Sequence, residues 1–162
     1  MGPQAGKPLL SSRVEVAVPL ERARAWFLSL RDHPERYRFA THEGFAFTQG
    51  DFGRAGARFQ TVERFLGVCK TLHFELIAVG ETSFEFTLLD PLNGQVWGAF
   101  ILEARSPALS ALILNVGAHA PLGARFLRFW LVRLAVQRQI DGEVRHIKTS
   151  MEALSAQHPC RV

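Results

Sequence analysis

Apolar and polar residues alternate along most of this chain, which is the pattern of β-strands with one buried face. In residues 13–18 every second residue is valine, and Pro19 ends the run. After Thr41 the twofold period continues through the ranges 44–48, 56–66, 68–79, 83–90, 95–105 and 109–119. Short connections rich in Gly, Asn, Ser and Pro separate these ranges and make neighbouring strands antiparallel. The pattern predicts one early strand followed by a meander of six more.

Helical spacing replaces the alternation in three places. Residues 20–31 predict a short helix, and the sequence Asp32-His33-Pro34-Glu35 predicts the start of a second one, with an Asp cap and a proline in the first turn. Residues 122–154 predict one long C-terminal helix, because an apolar stripe runs its whole length without an internal proline. Gly142 weakens that helix and predicts close packing or a bend there.

The chain has the size and composition of a single globular domain. It contains 162 residues, of which 48% are hydrophobic and 21% are charged. We assign a flexible N-terminal segment to residues 1–11, the domain to residues 12–156 and a polar tail to residues 157–162. Neither a membrane-spanning run nor the apolar stretch of a signal peptide is present, so we expect a cytoplasmic protein.

Cysteine content and charge argue against several classes of function. Cys69 lies in a predicted strand and Cys160 in the tail, so we predict neither a disulfide framework nor a cysteine zinc site. Nineteen basic residues outnumber fifteen acidic ones, but they are dispersed and form no basic stripe with stacking aromatics. No residue spacing is typical of a metal site. We therefore expect no nucleic-acid partner, no metal and no cofactor.

The order of predicted elements resembles the helix-grip fold of the START-like superfamily, also called SRPBCC, over about residues 12 to 156. Members include polyketide cyclases, birch-allergen-like carriers and ubiquinone-binding START proteins. The matching segments are Val14-Glu-Val-Ala-Val-Pro19 before Ala25-Trp26-Phe27, then Gly56-Ala-Arg-Phe59, then Arg138–Lys148. The chain departs from the pattern at Ser110, where many relatives have Gly-Thr, and in the aromatic first half of its long helix. The resemblance implies an α+β fold in which a seven-stranded curved antiparallel sheet wraps around the long helix, with two short helices after the first strand.

The resemblance also implies a cavity between sheet and helix that holds a hydrophobic ligand. Alternation alone fits a filled core equally well. For the strand at 95–105 two inward rows are open: Val96, Phe100 and Leu102, or Trp97 and Ile101. We predict that the cavity is lined by Phe59, Thr61, Glu63, Phe74, Leu76, Phe86, Leu88, Phe100, Leu112, Leu114, Val116, Phe126, Trp130 and Leu134.

Glu63 is the single candidate for catalysis, since a carboxyl group in an apolar row tends toward a raised pKa. The alternative is an acid at the cavity mouth that pairs with an arginine. His119 ends the last strand and reaches either the cavity entrance or solvent. We place five residues on the solvated side of the long helix, namely Asp141, Glu143, Arg145, His146 and Lys148. Among them we expect Asp141 and Arg145 to form an ordinary ion pair.

Three functions follow from this interpretation. The first is non-catalytic binding or transport of a hydrophobic small molecule such as a lipid, quinone or polyketide. The second is an enzyme like the polyketide cyclases and dehydratases that uses a cavity carboxylate. Paired inward polar groups would favour the enzyme. The third is a protein-interaction module of the same superfamily.

The first half of the long helix is apolar on too many sides to bury completely. Phe126, Phe129, Trp130 and Leu131 cannot all face the sheet, and three arginines lie among them. We predict that residues 126–134 form part of the cavity gate and make transient contact with membrane surfaces. The alternative is that the Gly50–Gly56 loop, the N-terminal segment or a second subunit of a homodimer covers them.

Overall fold

A computed structural model describes residues 6–65 and 67–157. Cys160 and most of the predicted tail lie outside the described residues. The helices and strands, in chain order, are β1 Leu10–Val16, α1 Leu20–Leu28, β2 His42–Gln49, β3 Arg58–Phe65, β4 Val68–Val79, β5 Ser83–Asp90, β6 Val96–Ser106, β7 Leu109–Ala118, α2 Pro121–Arg128 and α3 Trp130–Gln157. Two short 3₁₀ turns, Ser29–Arg31 and Pro34–Tyr37, connect α1 with β2.

The seven strands form one antiparallel sheet in the order β1-β7-β6-β5-β4-β3-β2. Consecutive strands from β2 to β7 are neighbours, as a meander requires, while β1 pairs with β7 at the far edge. The segment of α1 and the two 3₁₀ turns therefore carries the chain from one sheet edge to the other. The predicted α+β fold of seven strands and a long C-terminal helix is confirmed.

Helix α3 lies against the sheet near β1 and α1, and side-chain hydrogen bonds hold it there. Lys148 donates to the backbone oxygen of Glu15 at 2.7 Å, and the amide of Ala17 donates to Glu152 at 2.8 Å. The Trp26 indole donates to Ser150 Oγ at 2.9 Å. The apolar stripe of α3 between these contacts is buried, with Ile147 completely covered.

The predicted single C-terminal helix is divided at Phe129. This residue has an extended backbone (φ −60°, ψ 123°), and its carbonyl oxygen accepts the amide of Arg133 at 2.8 Å to begin α3. Because of this division, α2 buries Leu127 and α3 buries Val132. A single straight helix could not turn both side chains toward the same sheet. No helix in the described part of the chain is long and apolar enough to cross a bilayer.

Two other local predictions concern single positions. The second predicted short helix is present as the 3₁₀ helix Pro34–Tyr37, which begins after His33. Of the two alternatives predicted for Gly142, close packing is wrong, since a Cβ added there would meet no atom within 4 Å, and the bend stays a prediction. The α-helix continues through this position.

Candidate functional site

The groove between the sheet and α3 is filled with aromatic rings at one end. Phe27 from α1 contacts Phe84 and Phe100 with ring centroids 4.9 and 5.0 Å apart. Phe52 comes from the loop between β2 and β3, and its ring lies 5.4 Å from that of Phe84. Because α1 and this loop both insert a ring, no space remains here.

The other end of the groove contains a cavity of about 440 Å³. Ligand pockets in proteins span about 300 to 1,000 Å³, so a small organic molecule fits. The lining is mostly apolar and comes from β3 to β7, α2 and α3. Of the residues predicted from sequence, those that line it are Phe59, Thr61, Glu63, Phe74, Phe86, Leu88, Phe100, Leu114, Val116 and Phe126.

Four predicted residues lie elsewhere. Leu76 and Leu112 are completely buried in the filled core, because they occupy the parts of their strands that α1 and the loop cover. Trp130 and Leu134 lie on the surface, 65% and 45% exposed, because the break at Phe129 turns this side of α3 outward.

The inward row of β6 is now resolved. Val96, Phe100 and Leu102 all join the hydrophobic core, whereas Ile101 is only partly buried and outside it. Trp97 is buried but also lies outside that core, and its ring covers Gly117 on β7. Gly98 leaves room for Phe86, whose ring would lie 2.4 Å from an added Cβ.

A polar cluster occupies one wall of the cavity. It is built around Glu63 on β3, which pairs across the ladder with His42 on β2 and therefore shares a face with it. Thr61, two residues earlier, lies on the same face. Gln139 and Glu143 come from α3, where a spacing of four residues turns both toward the sheet. Tyr37, at the end of its 3₁₀ turn, completes the cluster and lines the cavity.

Short contacts connect the members of this cluster. Thr61 Oγ1 donates to Glu63 Oε1 at 2.6 Å, and Gln139 Nε2 donates to Glu63 Oε2 at 3.4 Å. The Tyr37 hydroxyl donates to Glu143 Oε1. His42 Nε2 lies 3.2 Å from Glu63 Oε1 and 3.9 Å from Glu143 Oε2, so the imidazole stands beside both carboxyl groups.

His42 is held by rings and not by well-directed hydrogen bonds. Phe39 stacks on one face at 4.5 Å, and the Tyr37 ring lies 5.3 Å away. Neither ring nitrogen has a hydrogen-bond partner of good geometry among the described residues, although the side chain is only 3% exposed. An unsatisfied buried imidazole is costly, and His42 lies in the cavity lining.

Burial sets the protonation states of the cluster. It raises the pKa of Glu63 to about 7, against the lowering effect of its bonds from Thr61 and Gln139. It raises the pKa of Glu143 to about 8, helped by the nearby charge of Glu63. Burial and the charge of His146 lower the pKa of His42 to about 3. At neutral pH the imidazole is therefore uncharged, Glu143 is mostly protonated and Glu63 is close to its midpoint.

Solved structures with the same arrangement of strands and helices exist, although no family model and no curated protein matches the sequence. TTHA0849 from Thermus thermophilus superposes with a TM-score of 0.66 at 16% identity, over 90% of this chain and 98% of that one. The Zhui aromatase/cyclase from Streptomyces sp. R1128 gives 0.67 at 12% identity, over 88% and 92%. Norcoclaurine synthase from Thalictrum flavum, in complex with dopamine and hydroxybenzaldehyde, gives 0.65 at 12% identity, over 94% and 88%. This chain shares the helix-grip fold of these structures. At such identities the likeness concerns the fold alone.

Sequence reasoning missed four members of the polar wall: Tyr37, His42, Gln139 and Glu143. Glu143 was placed on the solvated side of the helix, which is wrong, since the residue is only 7% exposed. The signal was present, because position 143 lies three residues after Ile140 and four before Ile147, on the buried stripe itself. Tyr37 and His42 lie in segments too short for periodicity to assign a face.

The other sequence candidates lie outside the cavity. His119 is exposed, and its ring is 6.4 Å from that of Trp97. Asp141 accepts a hydrogen bond from Gln137 at 2.9 Å and makes no ion pair with Arg145. Among the described residues, no group of three or more His, Cys, Asp or Glu side chains is arranged to hold a metal ion.

Proposed function

We propose that this protein is an enzyme that performs acid–base chemistry on an apolar, ring-bearing molecule with carbonyl groups. The observation that carries the proposal is the pair of buried carboxyl groups, Glu63 and Glu143, on one wall of an otherwise apolar cavity. A carrier needs only apolar walls and a mouth. An enzyme needs titratable groups within reach of the bound molecule, with pKa values near the working pH.

The lining defines the class of substrate. Phe59, Phe74 and Phe86 present ring faces and edges to the cavity, and such surfaces favour flat aromatic or conjugated molecules. The polar groups lie together on one wall, so the carbonyl end of the substrate would be directed there. An uncharged substrate is expected, because an anion would meet the carboxyl pair and a strongly polar molecule would lose its hydration against the other walls.

The environments of the two carboxyl groups suggest different roles. Glu63 accepts hydrogen bonds from Thr61 and Gln139, which stabilise its charged form, and we assign it as the general base. Glu143 has the higher pKa and keeps its proton, so we assign it as the general acid. Both groups lie beside Nε2 of His42, at 3.2 and 3.9 Å.

The reaction class that fits these roles is carbon–carbon ring closure within one substrate. The Glu63 carboxylate removes a proton from the carbon next to a carbonyl group, and the electron pair of that C–H bond forms an enolate. The enolate carbon attacks a second carbonyl carbon of the same molecule, and the new alkoxide oxygen takes its proton from Glu143. Return of the proton from Glu63 to Glu143 resets the pair. No oxidant, reductant or cofactor enters this balance.

The first step can be measured without knowledge of the natural substrate. Wild-type protein in D₂O at neutral pD is mixed with 2-acetylnaphthalene, an apolar ketone with exchangeable protons beside its carbonyl. Deuterium incorporation is followed by ¹H NMR. We expect exchange above the buffer rate, and a loss of about 100-fold or more of that excess in Glu63→Gln. Glu103→Gln, which removes an exposed carboxylate on β6, is the matched control and should exchange like wild type.

The same experiment separates catalysis from carrying. Saturation-transfer NMR establishes whether the ketone is bound under the conditions of the exchange assay. Bound ketone with exchange at the buffer rate would contradict the enzymatic proposal and favour non-catalytic binding, which the largely apolar lining supports.

A further inference from the structure

Most of the exposed apolar surface of this protein is concentrated at the α2–α3 corner, which we define as residues 121–134. Six of the eight large exposed hydrophobic residues in the described part of the chain lie there. Trp130 is 65% exposed, Leu122 60% and Phe129 55%. The other three are Phe126, Leu131 and Leu134. A contiguous patch of this kind on a small protein marks a contact surface.

The corner is a defined part of the fold. Leu127 and Val132 are buried on its inner side, and Gly123 packs so closely on the residue before β6 that an added Cβ would lie 2.7 Å from the Gln95 carbonyl oxygen. The amide of Phe129 donates to the carbonyl of Arg125 at 3.1 Å, which closes α2. With its inner side anchored, the corner presents its remaining side chains outward.

Uncompensated positive charge surrounds these apolar side chains. Arg125, Arg128 and Arg133 are exposed, and among the described residues none of them forms an ion pair or a side-chain hydrogen bond. Arg58, by comparison, pairs with Glu75 at 2.9 Å. Residues 121–140 contain no aspartate or glutamate. Apolar and cationic side chains on one outward surface match a bilayer with anionic headgroups.

The cavity opens beside this corner. Phe126 lines the cavity and is 38% exposed, and Val68 lines it from the β3–β4 hairpin and is 55% exposed. Lys70, also exposed, lines the same region and adds a further positive charge. An apolar molecule dissolved in a bilayer would therefore meet the cavity mouth when the corner is in contact with that bilayer.

We propose that the α2–α3 corner docks on membrane surfaces that contain anionic lipid, with Phe129 and Trp130 inserted at the headgroup boundary and the cavity mouth turned toward the lipid. This does not depend on the acid–base chemistry proposed above. A second copy of the chain is a poorer occupant of the same face. A twofold dimer would bring the three arginines of both copies together with no acidic residue from this segment between them.

Trp130 provides a direct readout of the docked orientation. The chain has three tryptophans, and the other two, Trp26 and Trp97, are 3% and 2% exposed. Wild-type protein is mixed with vesicles of phosphatidylcholine alone or with about 30% phosphatidylserine at low salt, and binding is measured by co-sedimentation. Vesicles with brominated acyl chains then quench any tryptophan that enters the bilayer. We expect binding only to the anionic vesicles, loss of binding at high salt, and quenching by the brominated lipid.

Three variants test the assignment. The triple variant Arg125→Gln, Arg128→Gln, Arg133→Gln should lower the partition coefficient about 100-fold, since each arginine contributes about fivefold. The control variant Arg38→Gln, Arg54→Gln, Arg145→Gln removes three exposed arginines outside the corner and should bind more than tenfold better than the first. Trp130→Phe should still bind, but without quenching by brominated lipid.

Several results would overturn the proposal. One is that folded wild type does not bind anionic vesicles at low salt. Another is that the two triple variants lose vesicle binding equally. A third is that brominated lipid still quenches the fluorescence of Trp130→Phe. A dimer seen by sedimentation velocity in wild type and abolished by Phe129→Ser would assign the corner to self-association instead.

Discussion

The two ends of the groove between sheet and helix use the same residue type for opposite purposes. At the filled end Phe27 and Phe52 are inserted by α1 and by a loop, and both side chains are almost completely buried. At the open end Phe74 and Phe86 come from the sheet, and their rings border the cavity. Whether a phenylalanine row becomes core or cavity lining is therefore decided by what other segments insert.

The polar wall lies on the open side of this division. Tyr37 touches both regions, since its ring packs 4.8 Å from that of Phe45 while its hydroxyl donates to Glu143 in the cavity wall. The filled end thus provides a rigid support for the carboxyl pair. Rigid support is what a site with defined acid and base positions requires.

Removal of a ring from the filled end should have the largest effect on stability. Phe27→Ala should lower the free energy of unfolding by about 3 to 5 kcal/mol, because it leaves a closed void among rings that cannot collapse. Urea denaturation followed by circular dichroism measures this loss. Phe74→Ala should cost clearly less, because that ring is only partly buried and borders existing space.

Ligand affinity provides a second comparison of Phe27→Ala with Phe74→Ala. N-phenyl-1-naphthylamine, an apolar fluorescent probe, should bind wild type in the cavity. Phe74→Ala should change its affinity, whereas Phe27→Ala, at temperatures where it remains folded, should not. Equal losses of stability for both variants would mean that the open end is packed like the filled one.

The buried carboxyl pair should make stability fall as pH rises. Glu143 has a pKa of about 8 in the folded protein and an ordinary value near 4.5 when unfolded, so the unfolded chain ionises first. Its contribution is complete below about pH 4.5 and is lost progressively up to about pH 8. Glu143→Gln should therefore gain stability relative to wild type across this range, as measured by urea denaturation at a series of pH values. A difference independent of pH would show that Glu143 is not protonated in the folded protein; Glu103→Gln is the control.

Alanine substitution at Gly98, beside the cavity, should weaken ligand binding. Gly98→Ala places a Cβ against the Phe86 ring, and the ring must move toward the cavity. We expect about tenfold weaker binding of N-phenyl-1-naphthylamine. Unchanged affinity would place the probe outside this part of the cavity.

Gly142→Ala provides the matched control at an unobstructed helical position. The added methyl group meets nothing, so probe affinity should not change, and helix propensity should raise stability by up to about 1 kcal/mol. Thermal denaturation measures this small gain, and a loss would indicate an unrecognised contact at Gly142.

The strands and their order could be predicted because alternation extends over many residues and the sheet imposes it directly. The break at Phe129 could not, because a single extended residue leaves the helical periodicity on both sides unchanged. Leu76 and Leu112 alternate in the same way as the residues that line the cavity. Only the insertion of α1 and of the Phe52 loop, which depends on tertiary structure, separates core from lining.

Glu63 was the one acidic site residue that alternation could indicate, because a charge within an apolar strand row stands out. Glu143 occupies an equivalent position on a helix, but an acid among several charged neighbours looks like part of a solvated face. His42 is brought beside Glu63 only by the pairing register of β2 and β3. The polar cluster therefore depends on the pairing register of β2 with β3 and on the rotation of α3 about its axis. Neither can be predicted from the sequence of one segment alone.

Direct titration of the two carboxyl groups tests the central claim that the open end holds an acid–base pair. Protein labelled with ¹³C at the glutamate side-chain carboxyl carbon is titrated by NMR, and Glu63→Gln and Glu143→Gln assign the two signals. The account predicts midpoints near 7 for Glu63 and near 8 for Glu143, each shifted when the other is replaced. Ordinary midpoints near 4.5 for both groups would contradict it, because two permanently ionised carboxylates could not act as acid and base.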